Sequence, residues 1–178
     1  PPAVRTTPAR YASLAAAVGD LLYLVPSTGK VQSAGNLTDQ GTEAATQRLF
    51  ASLYAGIATA SGQSASDSTS RPALLYVDLV VTNFPCASNT FEPGEMVAPT
   101  YTTGVLSNQE LTKTTDPSCA IGTVTKRYTA ATTTVEVRLT SQRLMNLAQN
   151  SPGRGRVTAA PAYGVSAAGT AMYRTGGQ

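Results

Sequence analysis

The residue types that could carry chemistry in this chain are few, and the two cysteines come first. Cys86 and Cys119 are the only cysteines, and a disulfide between them would close a loop of about 33 residues. The chain-entropy model assigns such a loop roughly 3–4 kcal/mol of stabilisation. Two separate buried thiols, which behave as small apolar residues, fit the sequence equally well. The sequence therefore leaves both states of the pair open.

The second candidate pair is acidic. Two carboxylates can hydrolyse glycosides, and Glu92 and Glu95 are close in sequence, but they lie in the turn Glu92-Pro93-Gly94-Glu95, where acids are usually solvated. The chain has no histidine, the commonest general base and metal ligand. Two thiols without an imidazole do not suit zinc, and no Gly-x-Ser-x-Gly motif occurs. The sequence predicts no enzyme, no metal and no cofactor.

The amino-acid composition indicates a protein whose surface is covered by partner proteins. Charged residues make up 13% of the 178 residues, about half the usual share of roughly 25%. Thr, Ala, Ser and Gly take their place, and Thr favours extended backbone because its branched side chain fits a pleated surface. Interface cores are depleted of charge, so surfaces of this composition suit coverage by a partner.

The few charges are unevenly distributed. Residues 1–19 and 141–178 hold six arginines and no acid, while residues 20–140 hold seven basic and ten acidic residues. Basic ends on an acidic middle indicate arms that dock on acidic surfaces, although solvated tails fit the same pattern. Nucleic acid is not expected, because the arginines are not densely clustered. The predicted partner contacts in the arms are Arg5, Arg10, Arg154, Arg156, Tyr163, Tyr173 and Arg174.

One compact basic and aromatic cluster, Lys126-Arg127-Tyr128, lies outside the arms. Arg and Tyr are enriched in interfaces, so this cluster is a further candidate partner contact, with an exposed strand end as the alternative. No stretch approaches the roughly 20 apolar residues of a membrane span, and no signal peptide is visible. We expect neither a membrane nor a nucleic-acid partner.

The pattern of elements predicts a mainly β protein, a small β-barrel or sandwich with one or two short helices and extended N- and C-terminal arms. The predicted parts are an arm over 1–12, a β-barrel core over 13–140, and a short helix with an extended arm over 141–178. Within them we predict helices over 42–54 and 141–149, a flexible loop over 61–70, and strands over 21–25, 73–81 and 132–139. The apolar run 73–81 predicts burial on both faces, whereas alternation in 132–139 predicts a half-exposed strand.

The order of signals repeats along the chain. Gly19-Asp20 feeds an apolar strand, and Gly94-Glu95 does the same further on. A turn, a short strand, a variable insert and an Ala/Gly-containing strand follow in each case, ending at 55–59 and at 120–124. This predicts a small barrel that is built from two similar halves.

Several short motifs resemble those of a known family. They are Gly19-Asp20-Leu21-Leu22-Tyr23, Gln47-Arg48-Leu49-Phe50-Ala51, Ala55-Gly56-Ile57-Ala58, Phe84-Pro85-Cys86-Ala87, Phe91-Glu92-Pro93-Gly94-Glu95-Met96-Val97, Ala120-Ile121-Gly122-Thr123-Val124 and Lys126-Arg127-Tyr128. Over residues 11–140 the chain resembles the small capsid decoration, or cement, proteins of tailed phages, in the broad head-decoration group known as a domain of unknown function. The resemblance implies a β-barrel, usually trimeric, on the outer face of a capsid, and it brings no catalytic residues. Residues 141–178 extend beyond it.

The sequence thus predicts a structural virion protein on the outer capsid surface. Its partners would be the major capsid protein and further copies of itself, as a homotrimer, with the barrel and arms making the contacts. Two other classes fit the same features: a minor capsid or tail subunit, and a secreted adhesin or surface-layer module, which the Thr/Ser-rich strands and the possible disulfide favour.

Overall fold

The computed structural model describes residues 4–10, 16–59 and 72–141. These ranges hold nine strands and one α-helix, together with a 3-10 turn over Ala34–Asn36. The strands are β1 (Val4–Arg10), β2 (Leu21–Val25), β3 (Lys30–Ser33), β4 (Tyr54–Ala58), β5 (Pro72–Phe91), β6 (Met96–Thr102), β7 (Val105–Thr114), β8 (Gly122–Val124) and β9 (Tyr128–Thr140), and the helix is α1 (Glu43–Leu53). The predicted mainly β fold is confirmed.

Five strands close a barrel, in the order β5-β7-β6-β8-β9 and back to β5. Four of the five contacts in this ring are antiparallel, and β5 meets β7 in parallel at one register position, Cys86 with Leu111. The strand β5 continues beyond the barrel, where β4, β2 and β3 extend the sheet. The predicted barrel is therefore present, with a three-stranded extension on its longest strand.

The helix α1 lies in the first half of the chain and packs against β2 of that extension and against β6 of the barrel. Thr42 caps it, because the Thr42 hydroxyl accepts a hydrogen bond from the Ala45 N–H at 3.2 Å, and Glu43 lies in its first turn, where a negative charge suits the helix dipole. Phe50 is fully buried and contacts the rings of Tyr23 and Tyr54. The helix predicted over 42–54 is confirmed to within one residue at each end.

The two halves predicted from the sequence echo share one pairing pattern. In the first half, residues 19–91, β2 lies between β3 and β4, and β4 pairs with β5; in the second half, residues 94–140, β6 lies between β7 and β8, and β8 pairs with β9. The turns match as well. The Gly19 N–H donates to the Ala58 carbonyl at 3.0 Å, and the Gly94 N–H donates to the Val124 carbonyl at 2.8 Å. The repeated order of strands and bonds supports an internal duplication.

One continuous hydrophobic cluster fills the barrel and the space under α1. The barrel part alternates along β9 as predicted, with Val135, Val137 and Leu139 buried and Thr134 and Arg138 exposed. The other buried apolar side chains of the barrel are Phe84, Cys86, Phe91, Val97, Leu106, Leu111, Ile121 and Val124.

The prediction that the run 73–81 is buried on both faces is wrong for the side chains that can be described. Leu79, Val80 and Val81 are each half-buried. The reason is that this stretch of β5 borders an open groove, which Leu79 and Val81 line, so its side chains are not covered on both faces. The loop predicted over 61–70 and the helix and arm over 141–178 lie outside the described residues, Ser141 excepted.

Candidate interaction surface

The predicted contact cluster Lys126-Arg127-Tyr128 lies at one end of the barrel, where it makes contacts within the chain. The Arg127 guanidinium pairs with the Glu92 carboxylate at 2.9 Å, and both side chains are more than half exposed. The Lys126 ammonium lies 5.7 Å from the centroid of the Tyr128 ring. Exposed pairs of this kind contribute about 0–1 kcal/mol, so they leave the cluster accessible to a partner without providing a built site.

The same end of the barrel holds both acids of the turn 92–95. The Glu95 carboxylate accepts from the Glu92 N–H at 2.7 Å and pairs with Lys113 at 2.7 Å. These hydrogen bonds, the one from Lys113 foremost, hold the pKa of Glu95 below its usual range. A general acid needs a raised pKa, so this environment opposes that role for Glu95.

The two cysteines do not form the disulfide that was one of the two expectations. Both are free and buried, and each thiol donates to a different backbone carbonyl: Cys86 to Thr132 at 3.6 Å and Cys119 to Ala44 at 3.4 Å. Burial, more than any neighbouring charge, raises the pKa of each thiol. A protonated thiol is a poor nucleophile, so these are the small apolar residues of the second expectation.

Two predicted arm contacts, Arg5 and Arg10, lie on β1. This segment is extended, as expected, but it pairs antiparallel with β5 of the same chain, Arg5 opposite Tyr76 and Arg10 opposite Pro72. The remaining arm contacts, Arg154, Arg156, Tyr163, Tyr173 and Arg174, lie outside the described residues.

A groove that the sequence did not reveal lies beside the half-buried run of β5. Its volume is about 320 Å³. Its floor includes Leu79 and Val81, one wall is formed by Val18, Gly19 and the end of β4, and Gln109 of β7 forms the other wall. Val18 is 55% exposed, one of the two large apolar side chains that are most exposed in the described ranges. We call this the seam groove, because it lies where β5 and β7 diverge.

The backbone edge of β5 is interrupted beside the seam groove. Asp78 pairs with Val4 of β1 and with Thr140 of β9, so β1 and β9 lie on opposite edges of β5. The β1 edge is joined by β7 at Cys86. Between these points no register pair is assigned to residues 79–85 on that edge within the described ranges, and residues 1–3, which precede Val4, lie outside those ranges. We call this stretch the seam edge.

A second feature is a surface without charge. No ionised side chain occurs in residues 79–91 of β5 or 128–135 of β9, although these strands form a long ladder. Its exposed residues, which we call the neutral ribbon, are Thr82, Asn83, Pro85, Ser88, Asn89, Thr90, Thr129, Ala130, Ala131, Thr133 and Thr134. The sequence held the signal for this surface, namely two charge-free runs, but not the pairing that joins them.

Comparison with known proteins adds no identity. No family model, curated protein or solved structure matches the chain. In the described ranges, no group of three or more His, Cys, Asp or Glu side chains is placed to hold a metal ion. Nor does any helix described here combine the length and apolar character that crossing a bilayer requires.

Proposed function

We propose that this chain is a structural virion protein that decorates the outer surface of a phage capsid. It binds major capsid protein subunits through its barrel and arms, and it assembles as a homotrimer. The observation that carries this proposal is the neutral ribbon. In a chain of 13% charged residues, two paired strands present a ladder of exposed side chains of which none is ionised, and surfaces of that kind suit a protein interface.

The barrel supports the proposal in a second way. Closing five strands into a ring removes most free sheet edges, so the module can stand on a shell without pairing at random with other copies. The surfaces that remain available for contacts are short exposed edges and uncharged faces. Many copies on one shell would add avidity to modest individual contacts.

A charge placed on the neutral ribbon tests the proposal. Ala131 is exposed on β9, so Ala131→Glu should fold, while three glutamates would meet or be desolvated in a trimer that uses this surface. The matched control is Ser27→Glu, in the exposed turn between β2 and β3. Light scattering should give three times the 18.3 kDa chain mass for the wild-type protein and for Ser27→Glu, and a smaller mass for Ala131→Glu.

Shell binding is measured on the same three proteins. Empty shells of the virus that encodes the chain are mixed with each protein and sedimented. Wild-type protein and Ser27→Glu should sediment with the shells, and Ala131→Glu should bind at least about tenfold more weakly, because it has lost avidity. A wild-type monomer that stays in the supernatant would contradict the proposal.

A further inference from the structure

The repeat that relates the two halves of the chain extends to β1. The strand β1 pairs antiparallel with the first part of β5, and the later part of β5 pairs antiparallel with β9. Four pairs of the first ladder are Arg5↔Tyr76, Thr6↔Leu75, Ala9↔Ala73 and Arg10↔Pro72. Adding 75 to the first residue number of each pair and 62 to the second gives four pairs of the other ladder, Val80↔Arg138, Val81↔Val137, Phe84↔Val135 and Pro85↔Thr134. The two ladders therefore share one register.

An irregularity of the ladders is repeated as well. The first ladder shifts register between Thr6 and Ala9, and the second shifts between Val81 and Phe84, which are the same positions of the repeat. Bulges are conserved features of related structures, so a bulge at equivalent positions supports a common origin of the two ladders.

The order of the strands agrees with this equivalence. The spacing of 75 residues that relates the ladders also separates the turn glycines Gly19 and Gly94. The second half forms the ring β5-β9-β8-β6-β7, which returns to β5. The first half has the corresponding order β1-β5-β4-β2-β3, and β3 contacts β1, although no register pair joins them in the described ranges. The strand β1 thus takes the place in the first half that residues 79–91 take in the second.

We infer that the chain contains two copies of one five-stranded unit, residues 4–78 and residues 79–140, and that β1 is the first strand of the first unit. The boundary lies inside β5, between Asp78 and Leu79, because the first part of β5 corresponds to β9 and the later part corresponds to β1. The last strand of the first unit therefore continues into the first strand of the second without a loop.

The N-terminal segment has a different role in such a unit. The sequence predicts a partner-binding arm over 1–12, whereas the first strand of a unit belongs to the fold of the isolated chain. One consequence rests on the proposed function: contacts with the shell fall to the second unit, which carries the neutral ribbon, and Arg5 and Arg10 are not among them.

The test compares two neighbouring positions of β1. Ala9 is equivalent to Phe84, which is buried, and Arg10 is equivalent to Pro85, which is exposed. Ala9→Asp therefore places a charge where the second unit has a buried side chain, and it should lower the urea midpoint of the isolated chain by about 1 M or more. The matched control Arg10→Asp should leave the midpoint unchanged. Equal midpoints for both variants would overturn the inference, because an arm outside the fold predicts that result.

Amide hydrogen exchange covers the case in which Ala9→Asp does not fold. Backbone amides within 5–10 of the isolated wild-type chain should be protected, as those within the equivalent stretch 80–85 are. Exchange within 5–10 at the rate of an unstructured chain, with protection only after shells are added, would overturn the inference.

Shell binding separates this inference from the proposed function. Empty shells of the virus that encodes the chain are sedimented with the wild-type protein and with Arg10→Asp, and both should bind equally. A loss of about tenfold or more for Arg10→Asp, with an unchanged urea midpoint, would overturn the inference, because β1 would then be a basic arm on an acidic shell. Wild-type binding would still uphold the proposed function in that case. Failure of the wild-type protein to sediment removes the proposed function, whereas the two units are still decided by the unfolding and exchange measurements.

Discussion

The two halves of the molecule share a strand order but close differently. In the second half, β7 reaches across to β5 and completes the barrel, whereas its counterpart in the first half, β3, pairs with β2 alone in the described sheet. The first half instead carries α1 between β3 and β4, where the second half has a short connection over 115–121. The comparison shows that the repeated strand order determines which strands pair within each half. The two halves nevertheless bury their apolar side chains differently, one with a helix and one by closing the barrel.

The largest expected effect breaks the half that depends on the helix. Phe50 of α1 is fully buried and contacts Tyr23 and Tyr54, and the second half has no helix at that place. Phe50→Ala should lower the free energy of unfolding by about 3–5 kcal/mol, because it leaves a cavity. Leu49, half-buried on the same helix, is the control, and Leu49→Ala should cost about 1–2 kcal/mol. Equal midpoint shifts for the two variants in urea unfolding would contradict the account, because the buried ring of Phe50 would then contribute no more than the half-buried Leu49 side chain.

A smaller effect separates the two acids that follow the matching glycines. Asp20 is buried, and its carboxylate accepts from the Ala17 N–H at 3.0 Å, the Ser33 hydroxyl at 2.6 Å and the Gln109 amide at 2.8 Å. Asp20→Asn replaces one acceptor with a donor. It should lower the free energy of unfolding by about 1.5–3 kcal/mol, measured by urea unfolding at pH 7. Its counterpart Glu95 is more exposed, and Glu95→Gln should lower the free energy of unfolding clearly less than Asp20→Asn does.

The pH dependence of Glu95→Gln is the control for this comparison of Asp20 and Glu95. Hydrogen bonds from Lys113 and the Glu92 backbone lower the pKa of Glu95 in the folded chain. The stabilisation that these hydrogen bonds provide is therefore complete above the pKa of Glu in the unfolded chain, about 4.3. It is lost as the pH falls through the lower pKa of Glu95 in the folded chain. The difference between wild type and Glu95→Gln should shrink as the pH falls below about 4. A difference that grew on acidification would contradict this account of Glu95.

The smallest effect tests whether the halves are equivalent at their turns. Gly19 and Gly94 have positive φ angles of 89° and 92°, a region that other residues rarely adopt. A Cβ at Gly19 would be 3.8 Å from the nearest atom, and one at Gly94 would meet nothing within 4 Å, so strain alone sets the cost. Gly19→Ala and Gly94→Ala should each lower stability by about 1 kcal/mol. Thermal midpoints that differed clearly between the two would show that the turns are not equivalent.

Local features of the fold could be predicted from the sequence, and features that depend on distant pairing could not. The Thr42 cap and the alternation in β9 are local features. The repeated Gly-acid turn predicted the two similar halves, because each turn forms a hydrogen bond with a strand of its own half. The apolar run 73–81 was interpreted as doubly buried, since periodicity cannot tell a covered strand from one whose cover is incomplete.

The candidate surface was only partly visible in the same way. The charge-free runs in β5 and β9 were present in the sequence, but the 20-residue length of β5 and its parallel contact with β7 are long-range features that leave no local pattern. The seam groove exists because those strands diverge. The free state of Cys86 and Cys119 likewise follows from where the fold places each thiol, and spacing alone does not determine it.

The most direct test of the central claim is a titration of empty shells with the wild-type chain. Bound protein is measured by sedimentation against the amount of major capsid protein, and its mass before mixing is measured by light scattering. We predict a trimer that saturates the shells at a fixed ratio to the capsid subunits. A monomer that does not sediment with the shells at any concentration would contradict the claim that this chain decorates a capsid.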